Sequence, residues 1–88
     1  MEKRRLGRTG MEVTCIGFGA LPMQRCTMDE AGEVLHAALD RGINFVDTAR
    51  AYTDSEEKIG RNISSRRSEF YLATKSVKRD KQGMAEDI

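Results

Sequence analysis

Three short apolar runs, separated by stretches with helical spacing, restrict this chain to an alternating α/β architecture. The runs are Cys15-Ile16-Gly17-Phe18-Gly19-Ala20-Leu21, Ile43-Asn44-Phe45-Val46 and Phe70-Tyr71-Leu72-Ala73-Thr74. Between the first two, Met28, Ala31, Val34, Leu35, Ala38 and Leu39 recur at the spacing of one helix face. Thr27 with Glu30 three residues on forms a capping box at its start. Gly42 supplies its stop. Between the second and third runs, Asp54 with Glu57 is expected to cap a second helix that sets Ile59 and Ile63 on one face. Strand and helix alternating in this way predict a parallel sheet joined by right-handed crossovers. Runs of continuous rather than alternating apolarity fit strands covered on both faces.

The flanks are simpler. Residues 3 to 14 predict a β-hairpin, with Met11 and Val13 apolar against Glu12 and Thr14, and the turn at Gly7-Arg8-Thr9-Gly10. Pro22 ends the first run, whose glycines let a backbone or a ligand approach closely. Ser64 to Ser68 and Lys78 to Gly83 are expected as polar loops, and Met84 to Ile88 as the opening of a third helix. No internal repeat, low-complexity segment or linker interrupts this order. A series that stops where a helix opens is expected to be the first part of a larger α/β protein.

Composition narrows the partners. At 88 residues the chain supports only a small core. Fifteen Lys and Arg against fourteen Asp and Glu leave a net charge of +1. That gives no basic excess for nucleic acid or anionic lipid. Three Phe, two Tyr and no Trp offer no base-stacking surface. No apolar run approaches the roughly 20 residues that span a bilayer, and Met1-Glu2-Lys3-Arg4-Arg5 lacks a signal peptide's apolar core. Cys15, Cys26 and His36 have no metal-ligand spacing, so no metal is expected. A reducing, cytoplasmic setting follows from this cysteine usage, with Cys15 a small buried hydrophobe.

The chemistry-bearing residues lie at strand ends. Asp47 closes the second run, Tyr52 follows five residues later, and Lys75 closes the third. In a parallel α/β protein the C-terminal strand ends converge on one face, where active sites are built. Taken singly, each has an ordinary reading: Asp47 satisfying loop amides, Tyr52 as a half-buried aromatic, Lys75 as a solvated strand end. Together they form an acid–amine–phenol series. A free tyrosine, with a pKa of about 10, is too weak an acid for neutral pH. An ammonium beside a phenol favours the phenolate. Lys75 would thus ready Tyr52 to give up its proton, and Asp47 would hold Lys75 charged and in place. Glu56 and Glu57 suit a helix N-terminus rather than acid–base work.

These residues resemble a family signature. Gly42-Ile43-Asn44-Phe45-Val46-Asp47-Thr48-Ala49-Arg50-Ala51-Tyr52-Thr53-Asp54-Ser55-Glu56-Glu57-Lys58-Ile59-Gly60 is similar to the first signature of the aldo-keto reductases. Arg5-Leu6-Gly7-Arg8-Thr9-Gly10 with Ile16-Gly17-Phe18-Gly19 resembles their N-terminal hairpin and first barrel strand, and Leu72-Ala73-Thr74-Lys75 their third strand with its lysine. The resemblance implies an N-terminal hairpin plus the first three βα units of a (β/α)8 TIM barrel, with residues 1–88 as the N-terminal part and the remaining barrel absent. It implies reduction of aldehydes or ketones with hydride from NADPH, NADH being the alternative. It makes Asp47, Tyr52 and Lys75 three of a catalytic tetrad whose histidine is expected beyond Ile88, since His36 sits mid-helix. It also implies cofactor contacts at Asp47 and at Gly19, Ala20 and Leu21, where the family often has other residues at the last two positions.

Two other functions are open to these residues. Lys75 at a strand end would serve a Schiff-base lyase. A barrel fragment would instead be a non-catalytic module, its open sheet edges pairing with another copy or another chain. The missing histidine and cofactor segments predict no turnover by the 88 residues alone.

Overall fold

A computed structural model of the chain describes residues 2–87. Strands β1 (Lys3–Arg5) and β2 (Glu12–Thr14) pair antiparallel, with Lys3 opposite Thr14 and Arg5 opposite Glu12. The turn between them is a single 3-10 turn, Gly7–Thr9, closed by Gly10 at a φ of 77°. A second sheet holds β3 (Phe18–Gly19), β4 (Phe45–Asp47) and β5 (Tyr71–Ala73), all parallel, with β4 in the centre. Helices α1 (Met28–Asp40) and α2 (Ser55–Ile63) form the two crossovers, and α3 (Lys81–Asp87) follows β5.

Both crossover helices share one core. Ala31, Leu35 and Leu39 of α1 meet Ile59 and Ile63 of α2 over Val46 of β4, with Met23 and Phe70 closing the ends. Leu35, Val46 and Ile63 are fully buried, each burial contributing roughly 1.5–3 kcal/mol. Because side chains alternate along a strand, Val46 faces the helices while Phe45 and Asp47 face the other way. Register sets Gly19, Asp47 and Ala73 side by side on that second face, near the C-terminal ends of their strands.

Local signals predict α1 closely. The Thr27 hydroxyl accepts from the Glu30 N–H at 3.1 Å, and the Glu30 carboxylate accepts from the Thr27 N–H at 3.0 Å. The Glu30 carboxyl lies below the usual range because the backbone of Thr27 donates to it first, then its hydroxyl. Gly42 ends the helix at a φ of 92°, a conformation natural to glycine.

Several expectations are corrected. The first run is not one strand from Cys15 to Leu21. Only Phe18–Gly19 pairs, and Pro22, which lacks an N–H, falls in a 3-10 segment, Leu21–Arg25. Cys15 is exposed rather than buried, because the pleat turns Thr14 inward instead. Thr14 has a polar partner there: its N–H donates to Asn44 Oδ1 at 2.8 Å and its hydroxyl accepts from the Asn44 N–H at 3.2 Å. Asn44 Nδ2 also donates to the Glu12 carbonyl, so one amide binds the hairpin to the root of β4. Val34 lies at the edge of the α1 stripe and is 47% exposed. The segment expected as a polar loop at Ser64 to Ser68 winds into a 3-10 helix, Ser64–Glu69, held by Arg66 against Glu69 and Asp40. The last helix starts at Lys81 rather than Met84, because Asp80 Oδ1 accepts from the Gly83 N–H and caps it.

Candidate active site

The site is built from the ends of β4 and β5 and the loop between β4 and α2. Asp47 is the last residue of β4, and Lys75 lies two residues beyond β5. Lys75 Nζ donates to Asp47 Oδ1 at 2.8 Å and to the Thr48 carbonyl at 2.6 Å. The same nitrogen stands 5.3 Å from the centre of the Tyr52 ring, within cation–π range. Acid, amine and phenol are therefore one contiguous series, as their strand-end positions predict.

The lysine is held as a cation. Hydrogen bonding to Asp47 raises its pKa above the ordinary lysine range, partial desolvation works against this, and the charges of Asp47 and Tyr52 add to the rise. Side-chain exposure of about half for both partners, 50% and 48%, leaves the pair open to solvent and to ligand. Screening by that solvent keeps its contribution to stability small.

The loop that carries Tyr52 is fixed at several points. The Tyr52 N–H donates to the Ala49 carbonyl at 3.1 Å, and the Tyr52 carbonyl accepts from the Ser55 N–H at 2.8 Å. The Arg50 N–H donates to the Lys75 carbonyl at 2.8 Å. Thr53, next in line, has a φ of 46°, in the left-handed region that a β-branched residue rarely adopts. Behind the strand end, Thr48 Oγ1 and Ser55 Oγ share a buried hydrogen bond of 2.8 Å.

Asp54 does not cap α2 as expected. Its side chain makes no bond to a helix N–H and turns instead to Lys58 Nζ at 2.9 Å. That pairing holds the Asp54 carboxyl below the usual carboxylate range, the Lys58 hydrogen bond being the chief cause. Lys58 is itself buried, and its ammonium also donates to the Met23 carbonyl at 2.8 Å. A charge this buried needs such partners. The result ties the 3-10 segment after β3 to the start of α2. Asp54 is a local partner four residues before Lys58, but the Met23 carbonyl that receives the buried ammonium is brought near only by the folded path.

The expected cofactor contacts divide. Gly19 lies beside Asp47 in register, and a Cβ placed on it would meet nothing within 4 Å. Ala20 is fully buried, its N–H donating to the Asp47 carbonyl at 2.9 Å, so it supports the site from behind. Leu21 is 53% exposed at the start of the 3-10 segment. A hollow of about 130 Å³ is lined by Thr48, by Glu56 and Ile59 of α2, and by Phe70 and Leu72. His36 is remote from the site, its Nδ1 3.0 Å from an Arg66 nitrogen.

The sequence profile of the Aldo/keto reductase family matches residues 15–87. The chain belongs to the aldo/keto reductase family. This aldo/keto reductase chain is 37% identical to L-galactose dehydrogenase of Arabidopsis thaliana, over 85% of its own length and 26% of that protein. It is 35% identical to the uncharacterized oxidoreductase YqkF of Bacillus subtilis, over 90% of the chain and 26% of YqkF. Among solved structures, the holo form of the aldo-keto reductase AKR11C1 from Bacillus halodurans superposes with a TM-score of 0.81 at 34% identity. That match covers 94% of this chain and 28% of AKR11C1. The chain thus spans about a quarter of the length of the relatives it matches. No helix among the described residues is long and apolar enough to cross a membrane.

Proposed function

We propose that this chain forms the N-terminal hairpin and first three βα units of a (β/α)8 barrel that reduces aldehydes or ketones with a nicotinamide cofactor, NADPH in preference to NADH. The observation that carries this reading is the Asp47–Lys75 ion pair beneath the Tyr52 ring. A reducing, cytoplasmic setting goes with it, supported by the two free thiols.

The residues at the strand ends fit a flat cofactor ring. Gly19 leaves open space next to Asp47, where a larger side chain would stand. Gly19 and Asp47 would hold the nicotinamide end, with Ala20 shaping the floor and Leu21 the rim. The cofactor, when bound, supplies hydride to the carbonyl carbon. Tyr52 donates the proton that the carbonyl oxygen then needs. Lys75 carries a positive charge next to the phenol, where negative charge develops as the proton leaves. Asp47 keeps that ammonium charged and fixed. Positioned proton donation of this kind is worth about 10²- to 10⁴-fold in rate. The same charge state argues against a Schiff-base lyase, which needs a lysine amine made neutral by a lowered pKa.

A chimera tests the proposal. Residues 2–87 would replace the matching segment of the Bacillus halodurans reductase, which supplies the remainder of a barrel. The expected result is carbonyl-dependent NADPH oxidation, reduced at least 10²-fold by Tyr52→Phe. Equal rates with Tyr or Phe at position 52 would sink the assignment. The 88-residue chain alone is expected to show no steady NADPH oxidation, since no histidine among the described residues stands near Tyr52.

A further inference from the structure

We infer that Thr48 is a positioning residue for this site, its hydroxyl pair with Ser55 holding the Tyr52 loop in register with Lys75. The inference rests on the proposed role of Tyr52, but its test reads geometry and not turnover.

Every polar group of Thr48 is committed to this junction. Its N–H donates to the Ala73 carbonyl at 2.8 Å, continuing the β4–β5 ladder past the strand end. Its carbonyl accepts from Lys75 Nζ. Its hydroxyl meets Ser55 Oγ seven positions along, just beyond the turn that bears Tyr52. One residue thus touches the amine directly and closes the loop of the phenol from behind.

Burial makes the hydroxyl pair selective. Thr48 is 1% exposed and Ser55 fully buried, so the pair is shielded from bulk solvent. A buried hydroxyl without a partner is costly, which favours the one arrangement in which both are satisfied. Between them the loop includes Thr53 in its left-handed conformation. Such a conformation persists where the surroundings hold it, and the Thr48–Ser55 bond closes the segment around it. With that bond gone, the loop is free to relax and carry the Tyr52 ring away from Lys75. The Asp47–Lys75 bond itself does not pass through the Tyr52 loop, so it is expected to outlast that relaxation.

That separation gives the experiment. Heteronuclear NMR on the 88-residue chain, at a dilution where sedimentation gives the monomer, would follow Tyr52 ring–Lys75 cross-peaks and the Lys75 titration midpoint in wild type, Thr48→Val, Thr48→Ser and Ser55→Ala. Thr48→Val keeps the shape and removes the hydroxyl; Thr48→Ser restores it. The expected result is cross-peaks weakened at least threefold in Thr48→Val and Ser55→Ala, recovery in Thr48→Ser, and a Lys75 midpoint that falls only slightly, because the Asp47 bond is the chief cause of its rise. A general loss of structure would instead break the Asp47 bond too and return the midpoint fully to the ordinary lysine value. Wild-type cross-peaks in either hydroxyl-deleted variant, or equal loss in Thr48→Ser, would overturn the inference. Unfolding of both Thr48→Val and Ser55→Ala would make the pair a fold determinant and overturn it as well. Failure of the reductase proposal would appear separately, as unchanged turnover in the Tyr52→Phe chimera.

Discussion

Lys75 Nζ bonds Asp47 Oδ1 at 2.8 Å across two adjacent parallel strands, 28 residues apart in the chain. The pair fixes which way Lys75 points and keeps it charged. Asp47→Asn should therefore lower the Lys75 titration midpoint toward the ordinary lysine value, measurable by its Nζ shift. The sign for stability follows from the raised pKa. The stabilising contribution is full below the unfolded-state lysine pKa and is lost as pH rises through the higher folded value. Asp47→Asn should flatten that alkaline decline, and an unchanged midpoint would show that Asp47 does not hold the charge.

Lys58 looks like a surface residue by type and behaves as a core one. Lys58→Met leaves the Met23 carbonyl without its donor and should destabilise by about 1–3 kcal/mol in chemical denaturation. Its partner Asp54 has a lowered pKa. Its contribution is present above the unfolded-state aspartate pKa and is lost as pH falls through the lower folded value. Asp54→Asn should therefore remove part of the acid limb of the stability profile. An acid limb identical to wild type would rule out the pair as its source.

Thr53 occupies a left-handed conformation that glycine adopts freely. Thr53→Gly should raise stability by a few tenths to about 1 kcal/mol, the relief of strain exceeding the added freedom of the unfolded chain. Thermal unfolding would check it, and a lower midpoint would mean that the Thr53 side chain stabilises the turn more than its φ costs.

Gly32 of α1 lies against the Asn62 side chain of α2. A Cβ there would overlap Asn62 Oδ1. The Asn62 amide cannot swing aside cheaply, because its nitrogen donates to the carbonyls of Met28 and Lys58. Gly32→Ala should destabilise by about 1–3 kcal/mol despite alanine's better helix propensity. A double change with Asn62→Ala should recover part of the loss.

The outer edges of β3 and β5 pair with no strand among the described residues. Ile16, Leu72 and Val77 are exposed nearby in sequence, Val77 at 73%. Unpaired edges with apolar neighbours recruit other strands. The isolated chain should sediment as a concentration-dependent mixture of species. A sharp monomer at high concentration would count against open edges in solution.

What could be read from sequence was local or carried by the family resemblance. The Thr27–Glu30 box, the Gly42 stop and the buried faces of α1 and α2 depend on neighbours within a few residues. The family signature grouped Asp47, Tyr52 and Lys75, which their spacing alone could only place at strand ends. Cys15 faces solvent, which apolar type alone does not reveal, since it says nothing about which side of the pleat turns inward. Asp54 turns away from the helix N–H groups because a distant carbonyl, that of Met23, holds the lysine it pairs with. Asn44, Thr48 and Ser55 gave no signal, since each acts through a partner that only the folded path brings near.

Asn44 gives the hairpin a part in the chemistry it never touches. Strand side chains alternate, so sliding β4 by one position would turn Asp47 from the open face to the helix face. Asn44 lies three residues before Asp47 and takes its bonds from Thr14 and Glu12 in the hairpin. The N-terminal ribbon thereby acts as the phase reference for the central strand. An acid at one end of β4 owes its direction to an amide clasped at the other.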